Sequence, residues 1–292
     1  MLRHKLARTG ACGELSEKSM ELAEAGARGG DEGAKVLSSA LLEVDGVTIR
    51  FGGVTALQDV SFDVAAGAIC GLIGPNGAGK TTLFNCISRL YDPHAGSIRF
   101  DGRPLANFAR HEIASLGIAR TFQNLALFAT MSARENVRVG AHAIARGGFL
   151  ASAVAAPSAR REERRIAERA DALIEEFGLE SVADRPAGEL PFGVRKRIEL
   201  ARALAVGPKL LLLDEPASGL NHEEVEGLGE EIRAIRDRRG LSVLLVEHHM
   251  NLVMRVSDQV VALDFGRVIA DGRPDEVRAN GDVVRAYLGS AA

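Results

Sequence analysis

The chain has 292 residues, 46% of them hydrophobic, and a formal net charge of −3, enough for one large domain or two small ones around a substantial core. The charge balance argues against a nonspecific nucleic-acid binder, which needs a basic excess, and no apolar run approaches the roughly 18 residues of a membrane span or forms an N-terminal secretory leader. Cys12, Cys70 and Cys86 have no metal-ligand spacing and read as thiols of a reducing, cytoplasmic compartment.

Residues 1 to 40 are rich in Ala, Gly, Glu and Arg, with no sustained period beyond a short helical stretch near Glu14 to Ala25, and are expected to be a poorly ordered extension. From Leu41 the pattern sharpens. Leu42, Val44, Val47 and Ile49 mark a first strand, Gly52-Gly53 a turn, and Val60, Phe62 and Val64 alternate with polar residues in a second strand. The apolar run Ala68 to Ile73 reads as a buried strand, followed by a Gly-rich loop and a helix from Lys80 to Leu90. Ser97 to Phe100 predicts a strand and Asp101-Gly102 a turn; an amphipathic helix through Phe108 to Leu116 and a short strand Ile118 to Phe122 follow.

Ser132-x-x-Glu135 is a capping box that starts another helix. Residues 141 to 160 look like a loose link, and Arg161 to Phe177 carries Ile166, Ala170, Leu173, Ile174 and Phe177 on one helical face with a solvated charged face opposite, stopping at Gly178. This is a helical insert between two halves of a strand-rich core. Further on, a helix Arg195 to Val206, a strand Leu210 to Leu213, a helix Asn221 to Arg239 capped by Asn221-x-x-Glu224 and a strand Leu241 to Val246 restore the alternation. Strands Val260 to Leu263 and Val268 to Ala270 around the turn Asp264-Phe265-Gly266, then two short helices, close the chain. Such alternation predicts an α/β fold with a mostly parallel sheet covered by helices on both faces.

The sequence Gly74-Pro75-Asn76-Gly77-Ala78-Gly79-Lys80-Thr81-Thr82 fits G-x-x-x-x-G-K-[ST] in the strand, loop, helix setting that pattern needs. Glycines let successive backbone N–H groups turn inward, and the following helix aims its positive end at the same anion. Lys80 is expected to reach the terminal phosphates and the Thr81 hydroxyl to hold magnesium. Leu210-Leu211-Leu212-Leu213-Asp214-Glu215 is a buried strand whose two acids emerge at the carboxyl edge, where α/β sheets bind ligands. We assign Asp214 to magnesium and Glu215 to the attacking water as general base.

With both motifs in place, residues 41 to about 289 resemble the P-loop ATP-binding subunits of ABC transporters. The resemblance implies ATP and magnesium as ligands, an antiparallel β subdomain, and a helical subdomain at about 124–207, with 290–292 as a tail. It implies that Phe51 stacks on adenine, that Gln123 in Arg120-Thr121-Phe122-Gln123 contacts magnesium and couples to the membrane partner, and that His248 is the switch histidine contacting the terminal phosphate. Ser218-Gly219-Leu220-Asn221 matches the loop at the dimer contact, with Asn in place of the usual Asp. The signature Leu-Ser-Gly-Gly-Gln corresponds to Leu190-Pro191-Phe192-Gly193-Val194, whose Pro191 offers no serine hydroxyl to the partner's nucleotide. The Gly193 N–H and the positive end of a helix beginning near Arg195 remain for that anion.

The Pro-Phe-Gly-Val form, the Arg-Thr-Phe-Gln segment and the ending Val284 to Gly289 are similar to the ATPases of branched-chain amino-acid importers. That resemblance implies a second ATP-binding subunit in a head-to-tail dimer, membrane permease subunits, and indirectly a periplasmic or extracellular solute-binding protein, with the chain peripheral on the cytoplasmic face of the inner membrane. Leu125, Leu127 and Phe128 are either contacts for a permease helix or ordinary core residues. Alternatives are another cargo such as lipid, urea or an amide, a soluble ATPase acting on nucleic acid or ribosomes, and a non-hydrolysing regulatory module. No basic surface, second nucleotide domain or coiled-coil insert supports the soluble class, so nucleic acid is not expected as a partner.

Overall fold

The computed structural model describes residues 40–121, 125–142 and 157–289. Its first sheet is antiparallel, with strand order β2-β1-β4-β5: β1 spans Ala40–Phe51, β2 Val54–Ala65, β4 Ala95–Phe100 and β5 Arg103–Pro104. The buried set on β1 switches from Leu42 and Val44 to Val47 and Ile49, a phase change that a strict period of two forbids. A register shift between Val44 and Val47 takes up the extra residue, and Gly46 adopts φ +59° there.

The second sheet holds β3 (Ile69–Ile73), β6 (Ile118–Arg120), β7 (Leu210–Asp214), β8 (Ser242–Val246), β9 (Gln259–Asp264) and β10 (Arg267–Gly272), in the order β10-β9-β3-β8-β7-β6. All pairings are parallel except β9 with β10. Its central strands β3, β7 and β8 are buried at every residue, because both faces are covered. Leu210 and Leu212 of β7, and Leu244 and Val246 of β8, point into a core shared with the antiparallel sheet and α1 (Lys80–Ile87). Their neighbours Leu211, Leu213, Val243 and Leu245 point into a second core. That core includes Val137 of α3 (Ala133–His142), Leu173 of α4 (Pro157–Glu176), Ile198 of α5 (Phe192–Leu204), Ile232 of α6 (His222–Arg239) and Leu252 of α7 (Met250–Val256). A third apolar cluster joins β9 to α8 (Pro274–Ala279) and α9 (Gly281–Gly289).

The expected capping boxes form: Ser132 N–H donates to Glu135 Oε2 at 2.7 Å while Glu135 N–H donates to Ser132 Oγ at 3.1 Å. The helical face of Ile166, Ala170, Leu173, Ile174 and Phe177 is buried as the spacing implies, and Gly178 ends that helix region at φ +58°.

Three expectations need correction. The helix through Phe108 to Leu116 is instead two 3-10 turns, Leu105–Asn107 and Arg110–Glu112, then the single helical turn α2, Ile113–Leu116. Extended residues at Phe108 and Ala109 interrupt it, and Gly117 at φ +102° stops it. α5 starts at Phe192, three residues before the expected start near Arg195, and α1 ends at Ile87 rather than Leu90. α7 is an additional element, built on buried Leu252, Val253 and Val256. The expected extension at 1–40 apart from residue 40, most of the link at 141–160, Phe122, Gln123 and the tail 290–292 lie outside the described residues.

Candidate functional site

Parallel pairing brings three strand ends to one edge of the sheet. Leu72 of β3 pairs with Val246 of β8, which pairs in turn with Asp214 of β7. The phosphate loop, the Glu247-His248 pair and the Asp214-Glu215 pair therefore emerge side by side although the sequence separates them widely.

The loop bends as its glycines permit. Gly74, Gly77 and Gly79 have φ of +149°, +82° and +104°, and a Cβ on Gly74 would lie 2.2 Å from the Leu263 carbonyl oxygen of β9. Only glycine tolerates both the angle and the approach. Gly79 is the N-cap of α1 and provides no side-chain hydrogen bond, which leaves the first-turn N–H groups of Lys80, Thr81 and Thr82 suited to an anion. Lys80, 6% exposed, donates from Nζ to the carbonyl oxygens of Gly74 at 2.6 Å and Pro75 at 3.0 Å. Burial pulls its pKa below the usual lysine range, and the Glu215 and Asp214 carboxylates oppose that shift. Pro75 is half-buried, Asn76, Gly77 and Thr81 are exposed, and Ala78 is buried.

Asp214 is buried beside Arg120 of β6, whose Nη2 donates to Asp214 Oδ2 at 2.8 Å. The same guanidinium donates from Nη1 to Asn85 Oδ1 at 2.8 Å and Ser88 Oγ at 3.2 Å, both at the end of α1, and lies over the Phe84 ring. Glu215 follows in a left-handed conformation, φ +50°, with its N–H donating to Val246 O at 2.9 Å. Its Oε1 meets His248 Nε2 at 2.5 Å. His249, the next residue, is the N-cap of α7.

Glu247, 1% exposed, accepts from Ala217 N–H at 2.6 Å, His248 N–H at 2.9 Å and His249 N–H at 3.3 Å. One carboxylate thus ties the backbone after Glu215 to the backbone of the histidine that meets Glu215. Local spacing does not reveal this role, nor that of Arg120; an acid next to the switch histidine at a buried strand end was the available signal.

The signature residues and the Ser218 loop meet within this chain. Pro191 is the N-cap of α5, at φ −54° and ψ 153°, again without a side-chain hydrogen bond, so the first-turn amides of Phe192, Gly193 and Val194 share the arrangement found at Gly79. Leu190 is buried, while Phe192 is 37% exposed. A Cβ on Gly219, which has φ +81°, would lie 3.0 Å from the Phe192 ring, and Arg195 and Lys196 stand 5.7 and 5.6 Å over that ring. Ser218 N–H donates to Glu215 O and Leu220 N–H to Ala217 O, both at 3.1 Å. Asn221 Oδ1 accepts from Glu224 N–H at 2.9 Å, so Asn keeps the capping function an Asp would have.

Phe51 is 44% exposed and meets Tyr91 edge to face at a centroid distance of 5.0 Å, an aromatic surface open to a planar ring. Gln123 lies outside the described residues. Magnesium takes oxygen ligands and commonly combines one or two carboxylates with phosphate oxygens. The Thr81 hydroxyl and Asp214 carboxylate fit that donor set. Among the described residues no group of three or more His, Cys, Asp or Glu could hold a metal. Phe265 and Gly266 form the β9–β10 turn, with Phe265 exposed and Gly266 buried, and the His222 side chain is 90% exposed.

Known proteins align with this arrangement. The family described as "ABC transporter" matches residues 57–218, and "Branched-chain amino acid ATP-binding cassette transporter" matches residues 267–292. The chain is 44% identical over 255 residues to the high-affinity branched-chain amino acid transport ATP-binding protein BraF of Pseudomonas aeruginosa, covering 87% of this chain and 100% of that protein. It is 40% identical over 255 residues to LivG of Escherichia coli, which bears the same description, with the same coverage of 87% and 100%. Among solved structures, the ADP conformation of an ATP-binding cassette of an ABC transporter superposes with a TM-score of 0.75 at 30% identity, covering 86% of this chain and 99% of that one. A nucleotide-free cassette superposes with a TM-score of 0.74 at 29% identity, covering 85% and 99%.

Proposed function

Since the chain belongs to the ATP-binding proteins of ABC transporters, in the branched-chain amino acid transport group, and is an ATPase with a nucleotide-binding α/β fold, we propose that it powers amino-acid import by closing head to tail on a second ATP-binding subunit. Residues 41–289 form the ATPase domain in this reading, with the helical subdomain at about 124–207. The phosphate loop from Gly74 to Thr82 of one copy and Leu190 to Val194 of the other hold each ATP, while Phe51 packs on the base. Ser218 to Asn221 lie at the contact between copies.

The observation that carries this reading is the Glu215–His248 contact of 2.5 Å at the edge where the phosphate loop emerges. Glu215 orients and deprotonates water, His248 contacts the terminal phosphate, and Lys80 neutralises charge that develops there. Magnesium, held by Thr81, Asp214 and Gln123 together with phosphate oxygens, supplies further charge neutralisation when bound. Arg120 fixes the Asp214 carboxylate in place through its 2.8 Å bond to Oδ2.

Among the described residues no helix is long and apolar enough to cross a membrane. Membrane permease subunits therefore provide the path, the chain sits at the cytoplasmic face of the membrane, and a solute-binding protein acts through the permease. Phe128, 48% exposed, is available to a permease helix, whereas Leu127 packs on the core.

Reconstitution with the cognate membrane subunits and solute-binding protein in proteoliposomes tests this. ATP hydrolysis stimulated by leucine, isoleucine or valine supports the cargo assignment; stimulation by urea or another amide alone replaces it.

A further inference from the structure

The last helix reaches the phosphate loop. Gly74 N–H donates to the Tyr287 hydroxyl of α9 at 2.8 Å, across 213 residues of sequence. The same residue's carbonyl accepts from Lys80 Nζ at 2.6 Å, so the Gly74 peptide is gripped from both sides. A phosphate competes with that carbonyl for the Lys80 ammonium, which weakens the hold on the carbonyl side. We propose that Tyr287 is a positioning residue for nucleotide binding: its hydroxyl pins the first residue of the phosphate loop, so that the loop keeps its curvature when Lys80 turns to the ligand.

The support for the hydroxyl is rigid. Asn280 Oδ1 accepts from Asp282 N–H at 2.8 Å and Val283 N–H at 3.3 Å, capping α9. Val283 is buried with Ile73, Val253, Val260, Ala262 and Val277. A cavity of about 400 Å³ lies between Pro75, Asn76 and Ala78 of the loop and Arg285 and Ala286 of the helix. Tyr287 packs against the same apolar cluster, so Tyr287→Phe leaves that packing in place and removes only the directional bond. Burial raises the Tyr287 pKa, which keeps the hydroxyl protonated.

The inference rests on the phosphate loop being the nucleotide site. Titration of the full-length chain with a fluorescent ATP analogue and magnesium tests it, with thermal unfolding recorded for each variant. Tyr287→Phe should raise Kd roughly threefold to tenfold, the range for one lost hydrogen bond, with a fall in Tm no larger than that of Val283→Ala. Val283→Ala, which loosens the helix but leaves the hydroxyl, should lower Tm without that change in Kd. Tyr287→Phe binding within about twofold of wild type, or a matching Kd change in Val283→Ala, would overturn the proposal. Amide exchange in the wild-type chain is an independent measurement: a protected Gly74 amide agrees with the bond, and exchange at the rate of an open loop refutes it. Lys80→Ala separates the two levels. Tight binding by that variant would remove the site itself, whereas its loss beside an unaffected Tyr287→Phe removes only the role of Tyr287.

Discussion

Glu215 Oε1 and His248 Nε2 stand 2.5 Å apart, each just beyond one of two adjacent parallel strands. The left-handed backbone at Glu215 costs on the order of 1 kcal/mol, offset by its N–H bond to Val246 O. As the proposed base, Glu215 is expected to be replaceable by glutamine without loss of nucleotide binding, because the amide keeps the shape. Turnover of Glu215→Gln should fall by about 10²–10⁴-fold. Phosphate release and analogue binding measured side by side check this, and hydrolysis at the wild-type rate would end the assignment.

Glu247 predicts a coupled loss. Glutamine at 247 retains one acceptor oxygen but turns an NH₂ group toward backbone donors that now share a carboxylate. Glu247→Gln should lose roughly 1–3 kcal/mol of unfolding free energy, read by urea denaturation, and also lower kcat as the Ala217 and His248 backbones part. Reduced stability with full kcat would show that the tie matters only to folding.

Removing the Arg120 guanidinium leaves a buried carboxylate without its neighbouring cation. The expected cost of Arg120→Ala is about 3–5 kcal/mol, since both side chains are at most 10% exposed. A change below about 1 kcal/mol in chemical denaturation would place the pair among ordinary surface contacts.

Thiol chemistry gives a test of the core. Burial raises the Cys70 pKa, with the Asp271 carboxylate adding to the shift, and pushes the Cys86 thiol up to about 11. At pH 8 about one Cys86 in a thousand is then thiolate. Alkylation of the native protein should spare both residues and label both in urea, as peptide mass spectrometry would read. Rapid native labelling of Cys86 would contradict its placement on the buried face of α1.

The parts legible in the sequence are those encoded locally. Gly74 to Thr82, the apolar run into Asp214 and the Asn221 cap follow from spacing alone, and period-two alternation gives the long strands. Local pattern misled where backbone punctuation outweighed it, at Phe108 and Ala109. The helix expected near Arg195 begins earlier because Pro191 is its N-cap. The links joining Arg120 to Asp214, Glu247 to Ala217 and Tyr287 to Gly74 span 94, 30 and 213 positions. No helical or strand period carries such partnerships; strand order creates them.

Lys80 has a kinetic consequence. Its two bonds to Gly74 and Pro75 make the loop's curve from the chain's own atoms, so a triphosphate meets a cradle already formed. Admission then needs one side chain to swing rather than a segment to rearrange on the microsecond-to-millisecond scale. Uptake should follow simple bimolecular rates that rise linearly with nucleotide concentration in stopped flow, without a saturating plateau.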